Sequence, residues 1–188
     1  MLAQVGPALL FPSRLSDVFK WLMPDKRLRV LIVEDQNEVS TVIQRVLETL
    51  KPQFPVITFE KTDCLSKALE IVRAYPPPDL VTLDLGLKDS GRENTMAHVR
   101  EIEAICPVVL VTGRTVDGFE DMLRELQIDV ISKGQRWMAD GQFIKACAKA
   151  LMRGAERETA KMRDRIGKLQ DLHGQLVNLE HSPSNDGA

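Results

Sequence analysis

From Leu28 to Leu151, short apolar runs alternate with segments whose apolar residues recur every three or four positions. This alternation restricts the fold more than any other feature. Uninterrupted apolar runs of four or five residues suit strands buried on both faces, and the periodic segments between them suit amphipathic crossover helices. A parallel sheet with helices on both faces is therefore predicted, each crossover right-handed. Strand one is Arg29-Val30-Leu31-Ile32-Val33, and Val39, Val42, Ile43, Val46, Leu47 and Leu50 mark the next helix, stopped by Lys51 and Pro52. Val56 to Phe59 is a weaker second strand, followed by the stripe Leu65, Ala68, Leu69 and Val72 and a stop at Pro76-Pro77-Pro78. Leu80-Val81-Thr82-Leu83 is strand three, and Met96, Val99, Ile102 and Ile105 support the helix after it. Val108 to Val111 is strand four, Phe119, Met122, Leu123 and Leu126 fit a fourth helix, and Val130-Ile131 is a short fifth strand. The last helix is expected to start near Gly141 and to bury Phe143, Ile144, Cys147 and Leu151.

In an open parallel sheet, ligands bind beyond the carboxyl ends of the strands. Glu34 and Asp35 follow strand one, Asp84 ends strand three, Thr112 ends strand four and Lys133 follows strand five, so these scattered residues converge on one rim. Crowded carboxylates must take up protons or share a cation. Mg²⁺ suits such a place, because it prefers oxygen ligands and is usually held by one or two carboxylates together with phosphate oxygens. A cation there favours approach of a phosphoryl anion and keeps Asp84 ionised as a nucleophile. Thr112 can offer a hydroxyl hydrogen bond and Lys133 a point charge to phosphoryl oxygens.

The pieces Val30-Leu31-Ile32-Val33-Glu34-Asp35, Leu83-Asp84-Leu85, Val111-Thr112-Gly113 and Ser132-Lys133-Gly134 resemble the receiver domains of two-component response regulators, over roughly Leu28 to Arg153. Each is weak alone; their order and strand-end placement make the resemblance specific. It implies a flavodoxin-like α/β fold with a five-stranded parallel sheet in the order 2-1-3-4-5. It also implies phosphorylation on Asp84 and Mg²⁺ held by Asp35, Asp84 and the carbonyl of Gly86, with Glu34 assisting. The donor it implies is a sensor histidine kinase or a histidine phosphotransfer protein. Three positions depart from the family pattern: Val130 stands where an inward-turning aromatic is usual, Gly134 where a proline follows the lysine, and Lys88 where a proline often follows strand three. A cis bond before Gly134 would cost about 2.5–4 kcal/mol, so a trans link is expected.

Outside 28–153 the sequence suggests accessory segments: an amino-terminal extension, 1–27, a helical extension, 154–181, and a disordered tail, 182–188. In the first, Leu15, Val18, Phe19 and Leu22 have helical spacing. In the second, Gly154 is an expected break, and Ala155, Met162, Leu169 and Leu176 alternate with Thr159, Ile166 and His173 in a coiled-coil-like pattern suited to a homodimer. A net charge of -2 gives no general attraction to nucleic acid or an anionic membrane. No apolar stretch is long enough to span a bilayer. Cys64, Cys106 and Cys147 lack metal or disulfide spacing, which favours a reducing, cytoplasmic setting. His98, His173 and His181 are isolated and read as surface or seam residues.

The function expected is that of a phosphoacceptor signalling by protein–protein interaction, not that of an enzyme acting on a small molecule. One rival is a pseudo-receiver that keeps the fold without carrying phosphate, favoured by Val130 and Gly134. The other is an aspartyl-phosphate phosphatase of the haloacid-dehalogenase type, which needs a second Asp where Gly86 stands.

Overall fold

The apolar runs form five parallel strands, β1 (Leu28–Val33), β2 (Ile57–Thr62), β3 (Leu80–Leu83), β4 (Val108–Thr112) and β5 (Val130–Ser132). Between and after them lie α1 (Asn37–Glu48), α2 (Leu65–Arg73), α3 (Arg92–Ile105), α4 (Glu120–Glu125) and α5 (Gln142–Glu180). The computed structural model describes residues 27–51, 54, 56–134, 137 and 141–180, with side chains as far as 173. The apolar spacing in the amino-terminal extension, the tail and His181 lie outside these residues. Strand order is β2-β1-β3-β4-β5, the flavodoxin-like order expected.

Register explains why strands one, three and four read as unbroken apolar runs. Val30 to Val33 pair with Leu80 to Leu83, and Val81 to Leu83 pair with Val108 to Leu110, so these strands have neighbours on both edges and helices above and below. Leu31, Val33, Val81, Leu83, Val108 and Leu110 join Leu69, Val72, Met96, Val99, Ile102 and Leu123 in one buried cluster, which covers one face with α2, α3 and α4. Val30, Ile32, Val109 and Val111, of opposite parity, are also buried, as are Ile43 and Leu47 of α1 and Phe143, Cys147 and Leu151 of α5.

Two expectations change. β2 extends to Thr62, beyond the predicted Phe59, because all six of its residues pair with β1; as an edge strand it exposes Glu60 and Lys61, polar residues that hide it in the sequence. Gly154 does not break the last helix, which runs unbroken to Glu180. A helical glycine costs only about 1 kcal/mol relative to alanine, and the residues around it are mostly good helix formers. The described residues fall into two compact units, the first ending at Leu151 and the second beginning at Met152.

Leu31→Ala, at a position with no exposure, is expected to cost about 2–5 kcal/mol. Val42→Ala, at a position 36% exposed, is expected to change stability by no more than about 0.5 kcal/mol. Urea denaturation of the two variants checks the placement of the core.

Candidate functional site

The parallel sheet ends its strands together, and the backbone holds them in step where the acidic residues emerge. The Glu34 N–H donates to the Thr62 carbonyl at 2.9 Å, the Asp84 N–H to that of Val33 at 3.0 Å and the Lys133 N–H to that of Thr112 at 2.9 Å. These bonds extend each strand ladder by one residue and place side chains from β1, β3, β4 and β5 at one rim.

Glu34, Asp35 and Asp84 each bring a carboxylate oxygen within 4.8 Å of the others. Glu34 and Asp84 are buried and Asp35 is half-buried. Lys133 reaches across the rim, its Nζ 2.6 Å from Glu34 Oε2 and 2.8 Å from Asp84 Oδ2. The peptide bond after Lys133 is trans, as expected. Thr112 is buried, and its hydroxyl oxygen accepts from the Arg114 N–H at 3.0 Å. Gly86 keeps space open: a Cβ there would lie 3.3 Å from Arg114 Nε and 3.5 Å from Asp84 Oδ2. The rim thus brings together the carboxylates, the hydroxyl and the ammonium that the sequence pointed to, with Gly86 beside Asp84.

One ammonium cannot balance three carboxylates. Burial, the largest influence, raises the Glu34 carboxyl above its ordinary value of 4.5, Lys133 works against that rise, and the charge of Asp84 adds to it. Asp35 Oδ1 and Asp84 Oδ1 are buried without a hydrogen-bond partner among the described residues. Unpaired buried carboxylate oxygens are costly, and their oxygen-only donor set fits a hard divalent cation.

Sequence reasoning missed Asp89. It lies in the loop after β3 and caps the start of α2: its Oδ1 accepts from the Leu65 N–H at 2.9 Å and its Oδ2 from the Ser66 N–H at 3.2 Å. Cys64, the residue at the cap position itself, makes no side-chain cap. The loop that carries Gly86 and Lys88 is thereby tied to the neighbouring helix. No local signal marks this role, because the cap comes from 24 residues away. Arg92, at the start of α3, ties that loop's far end to the loop after β4, donating to the Thr115 carbonyl at 3.3 Å and hydroxyl at 3.1 Å, with its guanidinium 5.8 Å from the centre of the Phe119 ring. Val130 is half-buried against the core cluster.

No family model matches the chain. A protein-glutamate methylesterase/protein-glutamine glutaminase of Geobacter sulfurreducens is 31% identical over 126 residues, covering 63% of this chain and 32% of that protein. One of Burkholderia thailandensis is 29% identical over 109 residues, covering 56% of this chain and 29% of that protein. The chain thus spans about a third of the length of these curated relatives. Among solved structures, the signal receiver domain of an HD domain-containing protein from Pseudomonas fluorescens superposes with a TM-score of 0.53 at 21% identity, covering 70% of this chain and 99% of that one. Many structural neighbours are response-regulator receiver domains, and the chain has their fold.

Asp89→Ala should lower stability by about 0.5–2 kcal/mol, as loss of a helix cap does, with Asp89→Asn recovering part of it in thermal unfolding. The raised Glu34 carboxyl sets a direction with pH. Its folded-state value lies above the unfolded one, so its contribution is complete below about pH 4.5 and is lost as pH rises through the raised value. Glu34→Gln should remove that component from the pH dependence of the urea midpoint.

Proposed function

We propose that the chain is a phosphoacceptor receiver of a two-component phosphorelay, in which Asp84 takes the phosphoryl group. The observation that carries this reading is the pairing of Asp84 with Lys133 at 2.8 Å beside two further carboxylates at the strand ends. In this reading the carboxylate of Asp84 attacks the phosphorus of a phosphohistidine or of a small acyl phosphate, and the imidazole or carboxylate of the donor leaves. The Lys133 ammonium and the Thr112 hydroxyl then bind oxygens of the transferred group. Both already stand at the rim.

Mg²⁺ would be held by Asp35, Asp84 and the Gly86 carbonyl, with Glu34 assisting. The orphaned oxygens of Asp35 and Asp84 fit that role. Once bound, it would neutralise charge on the carboxylates and on the incoming phosphoryl oxygens. The chain's own residues do the rest: Lys133 holds Asp84 in place, buried Thr112 ends the neighbouring strand, and Asp89 fixes the loop after Asp84.

Output is a changed binding surface and not turnover of a small molecule. Phosphorylation alters charge at the rim and biases the loops after β3 and β4, which Arg92 already joins. The curated relatives are named as methylesterases, but the chain matches about a third of their length, and Gly86 opposes a phosphatase of the haloacid-dehalogenase type. The donor is a sensor histidine kinase or a histidine phosphotransfer protein, and a cytoplasmic location suits such an exchange. Among the described residues no helix is long and apolar enough to cross a membrane. A pseudo-receiver is the second reading, favoured by Val130 and by Gly134 after Lys133.

Incubation with Mg²⁺ and acetyl phosphate should give one base-labile phosphoryl adduct by mass spectrometry, absent from Asp84→Asn and slowed at least tenfold in Lys133→Ala. No adduct, with this donor or with phosphorylated histidine phosphotransfer proteins, would transfer the conclusion to the pseudo-receiver.

A further inference from the structure

From Met152 onward the second unit is helix as far as Glu180, and it carries apolar side chains that the rim does not use. Met162, Ile166, Leu169 and Leu172 are 56%, 47%, 65% and 55% exposed. A single helix gains little from its own hydrogen bonds and is marginal in water unless an apolar face is packed. Gly154 and Gly167 each cost it about 1 kcal/mol more. The stripe therefore calls for a partner.

Its spacing specifies which one. Thr159, Ile166 and His173 occupy the first core position of a heptad and Met162 and Leu169 the second, with Leu172 beside the seam. A β-branched residue at the first position with leucine at the second favours two strands, and a polar residue such as His173 at a first position fixes register. Thr159 suits a core position because its hydroxyl already donates to the Ala155 carbonyl at 2.8 Å.

Flanking charges choose the orientation. In a parallel, in-register pair, Glu158 of each helix lies beside Arg163 of the other, and Arg165 lies beside neutral Gln170. An antiparallel pair centred on the same stretch sets Arg163 beside Gln170 and Arg165 beside Leu172, so neither charge gains an opposite partner. Sliding the antiparallel pair to bring Glu158 beside Arg165 would draw the stretch before Met152 into the seam, and Cys147, Ala150 and Leu151 there are already buried. Among the described residues Glu158 otherwise pairs with Lys161 on its own helix, at 3.0 Å, an exposed pair that contributes little.

We propose that this face binds the same face of a second copy of the chain, forming a parallel two-stranded coiled coil through residues 159–173. None of the residues that carry this pairing belongs to the rim around Asp84.

Sedimentation equilibrium of the full chain tests it. The unchanged protein should have the mass of a dimer, and Leu169→Lys that of a monomer at the same concentration. Asp171→Lys, on the opposite side of the heptad, should remain a dimer. Glu158→Arg should weaken the dimer several-fold, and adding Arg163→Glu should restore it. In a Cys64→Ser background, Leu169→Cys should oxidise to a covalent dimer, as only the parallel register allows. A monomeric or trimeric mass for the unchanged chain, a dimer that survives Leu169→Lys, or no cross-link would each overturn the proposal.

Discussion

The Lys133 ammonium, bridging Glu34 and Asp84 at 2.6 and 2.8 Å, is the interaction on which the rest of the rim depends. Removing one partner from a buried ion pair leaves an uncompensated charge and costs about 3–5 kcal/mol, so the two carboxylates and the lysine define one another's positions. The bridge is also incomplete. It balances one negative charge among three carboxylates, and buried oxygens of Asp35 and Asp84 remain without hydrogen-bond partners. Added positive charge would relieve a rim in that condition, which is why its carboxylates support the proposed cation site.

The sheet makes such crowding possible. A carboxylate cluster formed by a flexible loop would relax by moving apart, whereas here each acidic residue follows a strand whose ladder is locked to both neighbours, and the layers above and below are packed with buried apolar side chains. The loops beyond the strands are restrained from outside the rim as well. Asp89 ties the loop after β3 to the start of α2, and Arg92 ties its far end to Thr115 in the loop after β4. The loops after β3 and β4 are therefore mechanically joined.

Much of this was legible in the sequence because burial on both faces leaves a strong local signature. The runs ending at Val33, Leu83 and Val111 could hardly be anything but central strands, and a parallel sheet then dictates that Glu34, Asp84 and Thr112 meet. Where one side of an element is open to solvent, the signature fades: Glu60 and Lys61 concealed the end of β2. Gly154 misled for another reason, since a residue's intrinsic preference is a small cost that favourable neighbours on both sides of a helix can absorb. Asp89 was invisible because its partners, Leu65 and Ser66, become neighbours only when the fold is complete.

The central claim is that the uncompensated carboxylates form a divalent-cation site, and thermal unfolding of the unchanged chain and of Asp35→Asn across a Mg²⁺ titration tests it most directly. The account predicts a saturable rise in midpoint for the unchanged chain, reaching about 2.7 kcal/mol of added stability at a hundred times the dissociation constant, and little or no rise for Asp35→Asn. An equal response from both proteins, or none from either, would contradict it.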